Sequence, residues 1–121
     1  MVMWEVLVTD TFQRWWNALS DDEQSTVLVS IELLRQLGPK LPRPHADTVK
    51  GSRHANMKEL RSQHRGKPYR TLFAFDPGRR AVLLCGGDKT GDGRFYRRMI
   101  PLADRLFDEH LASVNRKRQL P

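Results

Sequence analysis

Hydrophobic and polar positions change period along this chain of 121 residues, and the changes mark its elements. Trp4 to Val8 is a short apolar, β-branched run broken only by Glu5, which predicts a strand. Thr9 or Asp10 can then cap a short helix carrying Phe12, Trp15, Trp16 and Leu19. Ser20 followed by Glu23 is a capping box, and Asp21 and Asp22 place negative charge at the positive end of the next helix. Val27, Leu28, Ile31, Leu34 and Leu37 recur at helical spacing until Gly38-Pro39 stops it. Two helices so patterned predict a hairpin that buries its stripe on a sheet. Trp15 and Trp16 face about 100° apart on a helix, which assigns one to the core and the other to a partner.

Residues 39–56 contain Pro39, Pro42 and Pro44 and then turn polar, which predicts an extended connection. From Met57 the period becomes two: Met57-Lys58-Glu59-Leu60-Arg61 alternates, with Leu60 directed to the core. A turn through Gly66 leads to a strand over Tyr69–Phe75, and Asp76-Pro77-Gly78 turns the chain again. Ala81 to Cys85 is almost wholly apolar, as a central strand covered on both faces would be. Gly86, Gly87, Gly91 and Gly93 bracket Asp88-Lys89-Thr90 in a loop, and a last helix begins near Met99–Pro101 with Leu102, Leu106 and Leu111 on one face. The order β-α-α-β-β-β-α predicts one α+β domain over 1–115, with a basic tail over 116–121. Its small antiparallel β-sheet has an N-terminal strand at its side, the helical hairpin packed on it and a C-terminal helix.

Charge changes this picture most. Of 21 Lys and Arg residues, 13 fall between Lys50 and Arg98 against four acids, a local balance of 13 − 4 = +9 within a net charge of +7. Because that stretch also reads as strands, its bases can gather on one sheet face, and such a face attracts a polyanion through counterion release. No amphipathic basic helix or long apolar span points to a membrane. Cys85 lies inside the apolar run, so it is read as a small buried hydrophobe in a reducing cytoplasm. The N-terminus MVMWEVLVTD has no basic segment or cleavage pattern of a signal peptide.

Other chemistry is poorly supported. HExxH, paired CxxC and GxxxxGK[ST] spacings are missing, so neither a metal, a cofactor nor a phosphate loop is expected. His45, His54, His64 and His110 are spread over different elements. His54, beside the charged strand, is the one kept as a candidate, since imidazole moves protons near neutrality.

Four phrases in order carry a resemblance: Lys50-Gly51 with Met57-Lys58-Glu59-Leu60-Arg61, then Tyr69-Arg70-Thr71-Leu72-Phe73, then Val82-Leu83-Leu84, then Asp88-Lys89-Thr90. In this order, over roughly residues 1–112, the chain resembles the RelE/ParE superfamily of toxins and most closely its HigB-type branch. Asp88 departs from the family, which carries a lysine there, and Gly91 to Arg98 is a Gly- and Arg-rich insert before the last helix. The resemblance implies a type II toxin: a metal-independent endoribonuclease cutting mRNA on the ribosome, neutralised by a cognate antitoxin of helix-turn-helix type that alone contacts operator DNA.

Carried over by position, Lys58, Arg61, Arg70 and Lys89 are the implied catalytic residues. Arg61 and Arg70 are assigned to phosphate, which a guanidinium grips through two hydrogen bonds, and Lys58 to proton acceptance if like charges depress its pKa. The competing reading for the arginines is an ordinary salt bridge to Glu59, Asp76 or Asp88. His54, Arg94, Tyr96 and Arg97 are the candidates for RNA contact, a base lying between cation and ring. Phe95 is read as a core anchor. Two alternatives stay open at this point: a toxin of the same superfamily that inhibits DNA gyrase without cutting RNA, and a simple nucleic-acid-binding module.

Overall fold

Val6–Val8, Ala46–Thr48 and three strands between Lys58 and Asp88 build a five-stranded sheet in the order β1-β5-β4-β3-β2. The computed structural model describes residues 3–118, the side chains of 116–118 excepted. The chain runs β1 (Val6–Val8), α1 (Asp10–Ala18), α2 (Asp21–Leu37), a 3₁₀ turn (Gly38–Lys40), β2 (Ala46–Thr48), β3 (Lys58–His64), β4 (Lys67–Phe75), β5 (Ala81–Asp88) and α3 (Phe95–Arg118). Neighbours are antiparallel except β1, which lies parallel to β5 at the sheet's side. This is the α+β domain expected from the pattern.

The helical hairpin is capped as its sequence predicts. Thr9 Oγ1 accepts from Phe12 N–H at 3.0 Å, Ser20 Oγ accepts from Glu23 N–H at 3.2 Å, and Glu23 Oε1 accepts from Ser20 N–H at 2.8 Å. The apolar stripe of α2, with Phe12 of α1, packs on Leu60, Phe73 and Leu83 on one sheet face. On the other face α3 lays Phe95, Met99, Ala103 and Phe107 against Leu72, Val82 and Leu84. Covering both faces explains the near-continuous apolar run of β5.

Four local expectations are corrected. The connection over 39–56 holds the 3₁₀ turn and the edge strand β2, whose Ala46 pairs with Leu60; a three-residue strand leaves too short a pattern to read. Gly86 and Gly87 belong to β5 rather than to a loop, because large rings pack on both sides of them. A Cβ on Gly86 would lie 2.4 Å from Trp15, and one on Gly87 2.9 Å from Phe95. Helix α3 begins at Phe95, six residues before Pro101, and its end takes in Arg116, Lys117 and Arg118 of the expected tail; residues 119–121 lie outside those described. Both Trp15 and Trp16 turn toward Phe12, at centroid distances of 5.6 and 6.3 Å, so neither is left wholly for a partner.

Candidate active site

Strand pairing brings the two candidate phosphate-binding arginines together: Arg61 of β3 and Arg70 of β4 are direct cross-strand partners. Alternation puts them on the α3 face with Glu59, whose own partner Leu72 packs under α3. Two like charges opposite each other oppose folding unless something answers them. Glu59 answers. It is 4% exposed, and its Oε2 accepts from Arg61 Nε at 3.0 Å while its Oε1 accepts from the Tyr96 hydroxyl at 2.6 Å. Arg61 also donates to Asp47 of β2 at 3.2 Å, and Asp47 pairs with Arg43 at 3.0 Å. The hydrogen bond from Arg43, against some burial, holds the Asp47 carboxyl below its usual range.

Arg70 is less completely engaged. Its Nη1 donates to the Tyr69 carbonyl at 3.0 Å, but its Nε stands 3.8 Å from Glu59 Oε1, an ion-pair separation too long for a hydrogen bond. Among the described residues that Nε is the only buried side-chain nitrogen or oxygen without a hydrogen-bond partner. Buried donors rarely stay unmatched, because the lost hydration is not repaid. A cationic donor is thus held ready beside a second arginine.

Tyr96, in the first turn of α3, closes the cluster. Burial, the hydrogen bond to Glu59 and its charge push the phenol above its ordinary value, while Arg70 works against the rise. Lys89 Nζ lies 5.3 Å from the Tyr96 ring centroid, within cation–π reach. The Lys89 loop is shaped by Asp88, whose Oδ1 accepts from Thr90 N–H at 2.9 Å and from Thr90 Oγ1 at 2.6 Å. The acid found where the family has lysine is therefore a turn-former here. Asp92 Oδ1 accepts from Arg94 N–H at 3.0 Å and starts α3. Glu59 and Tyr96 border a cleft of about 270 Å³ together with Thr48, Val49 and Lys50; Arg61 and Arg70 border another of about 610 Å³ that reaches Thr26, Val29 and Ser30 of α2.

The remaining predicted residues divide. Arg94 and Arg97 are exposed on the α3 side of the loop. Lys58 does not join Arg61 and Arg70: its cross-strand partner is Phe73, which packs under α1 and α2, so strict alternation turns Lys58 to the opposite face. His54 also stands apart. Its Nε2 lies 2.7 Å from Asp108 Oδ1 and its ring meets Phe107 edge to face at 4.9 Å, so it ties the β2–β3 loop to α3. That contact, against burial, holds Asp108 below the usual carboxylate range, with Arg53 assisting. Burial alone pushes the Cys85 thiol up to about 12, which leaves it inert. No group of three or more His, Cys, Asp or Glu side chains among the described residues is placed to hold a metal ion. The sequence reading did not assign Glu59 a role in the site, although its spacing of two from Arg61 was the available signal. Asp47 went unread because β2 did.

A protein-family model described as "Phage derived protein Gp49-like (DUF891)" matches residues 14–108. The chain belongs to this Gp49-like family. Its relatives make it a HigB-type toxin of a toxin–antitoxin system. It is 46% identical over 109 residues to a Mycobacterium tuberculosis protein named "Putative toxin HigB3", across 89% of this chain and 94% of that one. It is 47% identical over 105 residues to "Putative toxin HigB2" of the same organism, across 85% of this chain but 52% of that protein, so it spans about half of that relative's length. Two solved structures share the fold of this Gp49-like chain. A mutant of Escherichia coli toxin RelE in the free state matches at a TM-score of 0.55 and 8% identity, over 77% of this chain and 90% of that one. The toxin–antitoxin complex RelBE2 from Mycobacterium tuberculosis matches at 0.51 and 20%, over 72% and 99%.

Proposed function

We propose that this HigB-type chain is an endoribonuclease toxin that cuts mRNA on the ribosome in the bacterial cytoplasm and is held inactive by a cognate antitoxin. One observation carries the proposal: a buried, unmatched Arg70 Nε beside Arg61, on a face from which Lys89 and Tyr96 also reach. RNA brings its own nucleophile in the 2′-OH. Cleavage then needs cations for the charge that builds on the phosphorus oxygens, a proton acceptor and a proton donor. Arg61 and Arg70 supply the cations, Lys89 and the exposed Arg94 and Arg97 draw in the flanking backbone, and Tyr96 offers a ring to a base. These groups complete the charge balance without a metal on the protein, so cleavage on purified ribosomes at fixed Mg²⁺ should survive a chelator selective for transition metals.

The likeness to named toxins and to a toxin–antitoxin complex supports an antitoxin partner. The +9 stretch favours one that presents acidic side chains, and a helix-turn-helix antitoxin would be the only part of such a pair to contact operator DNA. Among the described residues no helix is long and apolar enough to cross a membrane. The test is induced expression with primer extension on cellular mRNA. New 5′ ends together with growth arrest, both absent for Arg70→Ala, are expected. Arrest without new ends, with gyrase supercoiling lost, would overturn the ribonuclease reading in favour of a gyrase inhibitor.

A further inference from the structure

Attack by a 2′-OH requires two proton transfers, and strand alternation turns Lys58 away from Arg61, Arg70 and Glu59. The α3 face holds a carboxylate and a phenol in direct contact: Glu59 Oε1 and the Tyr96 hydroxyl, 2.6 Å apart. A structural role for Glu59, neutralising the Arg61–Arg70 pair, would need no such phenol and no opening. Yet both groups border the 270 Å³ cleft, with Lys50 at its edge.

We infer that Glu59 and Tyr96 are the acid–base pair of this site, with the scissile ribose seated in the cleft formed by Thr48, Val49 and Lys50. This deepens, and rests on, the ribonuclease reading. Glu59 takes the proton of the ribose 2′-OH as the O2′–P bond forms. The P–O5′ bond breaks, and the Tyr96 hydroxyl proton passes to O5′. The products are a 2′,3′-cyclic phosphate and a 5′-OH. Protonated Glu59 and the Tyr96 phenolate then face each other across their existing hydrogen bond, and one proton transfer restores both. No further reactant enters.

The same contacts couple charge to chemistry. At rest the Glu59 carboxylate holds Arg61 through a 3.0 Å bond and draws on Arg70 at 3.8 Å. Protonation removes its charge at the moment the phosphorus oxygens gain theirs, so both guanidiniums are released toward the phosphate. Tyr96 stays protonated until it is needed because its phenol is raised above the ordinary value, first by burial and then by Glu59.

Single-turnover cleavage of mRNA on purified ribosomes tests this, with thermal melts confirming the fold of each variant. Glu59→Gln and Tyr96→Phe should each slow cleavage by about 100-fold or more. A substrate whose scissile 5′ oxygen is replaced by sulfur leaves as thiolate without a proton. It should return Tyr96→Phe to within about tenfold of wild type while leaving Glu59→Gln as slow as before. Glu59→Asp, which keeps the carboxylate, should retain clearly more activity than Glu59→Gln. If Glu59→Gln does not fold, the sulfur substrate with Tyr96→Phe and the cleavage rate of Glu59→Asp decide the matter. Cleavage by Glu59→Gln within about threefold of wild type, or equal response of both variants to sulfur, would overturn the pair. A wild-type protein that cuts no RNA under these conditions sinks the ribonuclease reading itself, before any variant is compared.

Discussion

On the α1/α2 face of the sheet, polar side chains meet partners from the helix above. Ser62 donates to Ser30 at 2.8 Å, His64 Nδ1 lies 2.7 Å from Thr26 Oγ1, and the Tyr69 hydroxyl donates to Glu23. On the α3 face, where Arg61 and Arg70 meet, one carboxylate serves two arginines and a tyrosine, and the Arg70 Nε is left over. The first arrangement closes a scaffold. The second leaves donor capacity that an incoming anion can take up. Around β3 and β4 the closed polar network and the candidate site therefore lie on opposite faces of one sheet, and substitutions at the two places should separate.

Phe73 tests the scaffold face hardest. It is 1% exposed among the α1 and α2 side chains, so Phe73→Ala should cost about 3–5 kcal/mol, read from urea melts. Growth arrest should vanish with it only because folded protein is lost. On the other face Arg70→Ala removes an incompletely bonded cation. Cleavage should fall about 100- to 1,000-fold, while stability shifts by no more than about 1 kcal/mol. A large loss of stability in Arg70→Ala would show that its role is to hold the sheet, and the contrast between the faces would fail.

The two faces were not equally legible in the sequence. The scaffold was, because its signals are local: Ser20 with Glu23 three residues on, a stripe from Val27 to Leu34, and alternation in β3 and β4. Arg61 and Arg70 were legible too, through a resemblance to known toxins and through charge density. Their surroundings were not. Whether Lys58 faces the arginines depends on a register that only the pairing with Phe73 fixes. His54 found Asp108 of α3, 54 positions away, and no local pattern announces such a contact. The glycines of β5 looked like a loop because the rings that require them, Trp15 and Phe95, come from distant helices.

Those two glycines sharpen the comparison. A Cβ on Gly86 meets the Trp15 ring at 2.4 Å, on the scaffold face, and Gly86→Ala should cost about 1–3 kcal/mol with activity per folded molecule unchanged. A Cβ on Gly87 meets Phe95 at 2.9 Å, on the α3 face, and Phe95 stands 5.3 Å from the Tyr96 ring. Gly87→Ala should therefore destabilise less but slow cleavage, by displacing Tyr96 from Glu59. Cleavage rates normalised to folded protein, beside melting temperatures, distinguish the two. Matching losses in both quantities for both variants would erase the assignment of faces.

The smallest expected effect is the share of the acid-side pH dependence that arises on the scaffold face. The Tyr69 hydroxyl, then the Ser20 backbone and side chain, hold the Glu23 carboxyl at about 2 against an ordinary 4.5, and Tyr69 is itself raised to about 12, first by burial and then by Glu23. Glu23 is depressed in the folded state, so its contribution is fully present above about 4.5 and is lost as pH falls from there toward about 2. Asp47, Asp76, Asp92 and Asp108 are lowered as well, so wild type alone cannot assign the loss to Glu23. Tyr69→Phe removes the largest cause and leaves the ring in place. Between pH 5 and pH 3 its stability should therefore fall less steeply than that of wild type, while its cleavage at neutral pH stays the same, because Tyr69 lies across the sheet from Arg70. Parallel melts at several pH values decide it. Identical slopes for the two proteins would mean that the hydrogen bond to Tyr69 does not govern Glu23, and that the capping box alone lowers it.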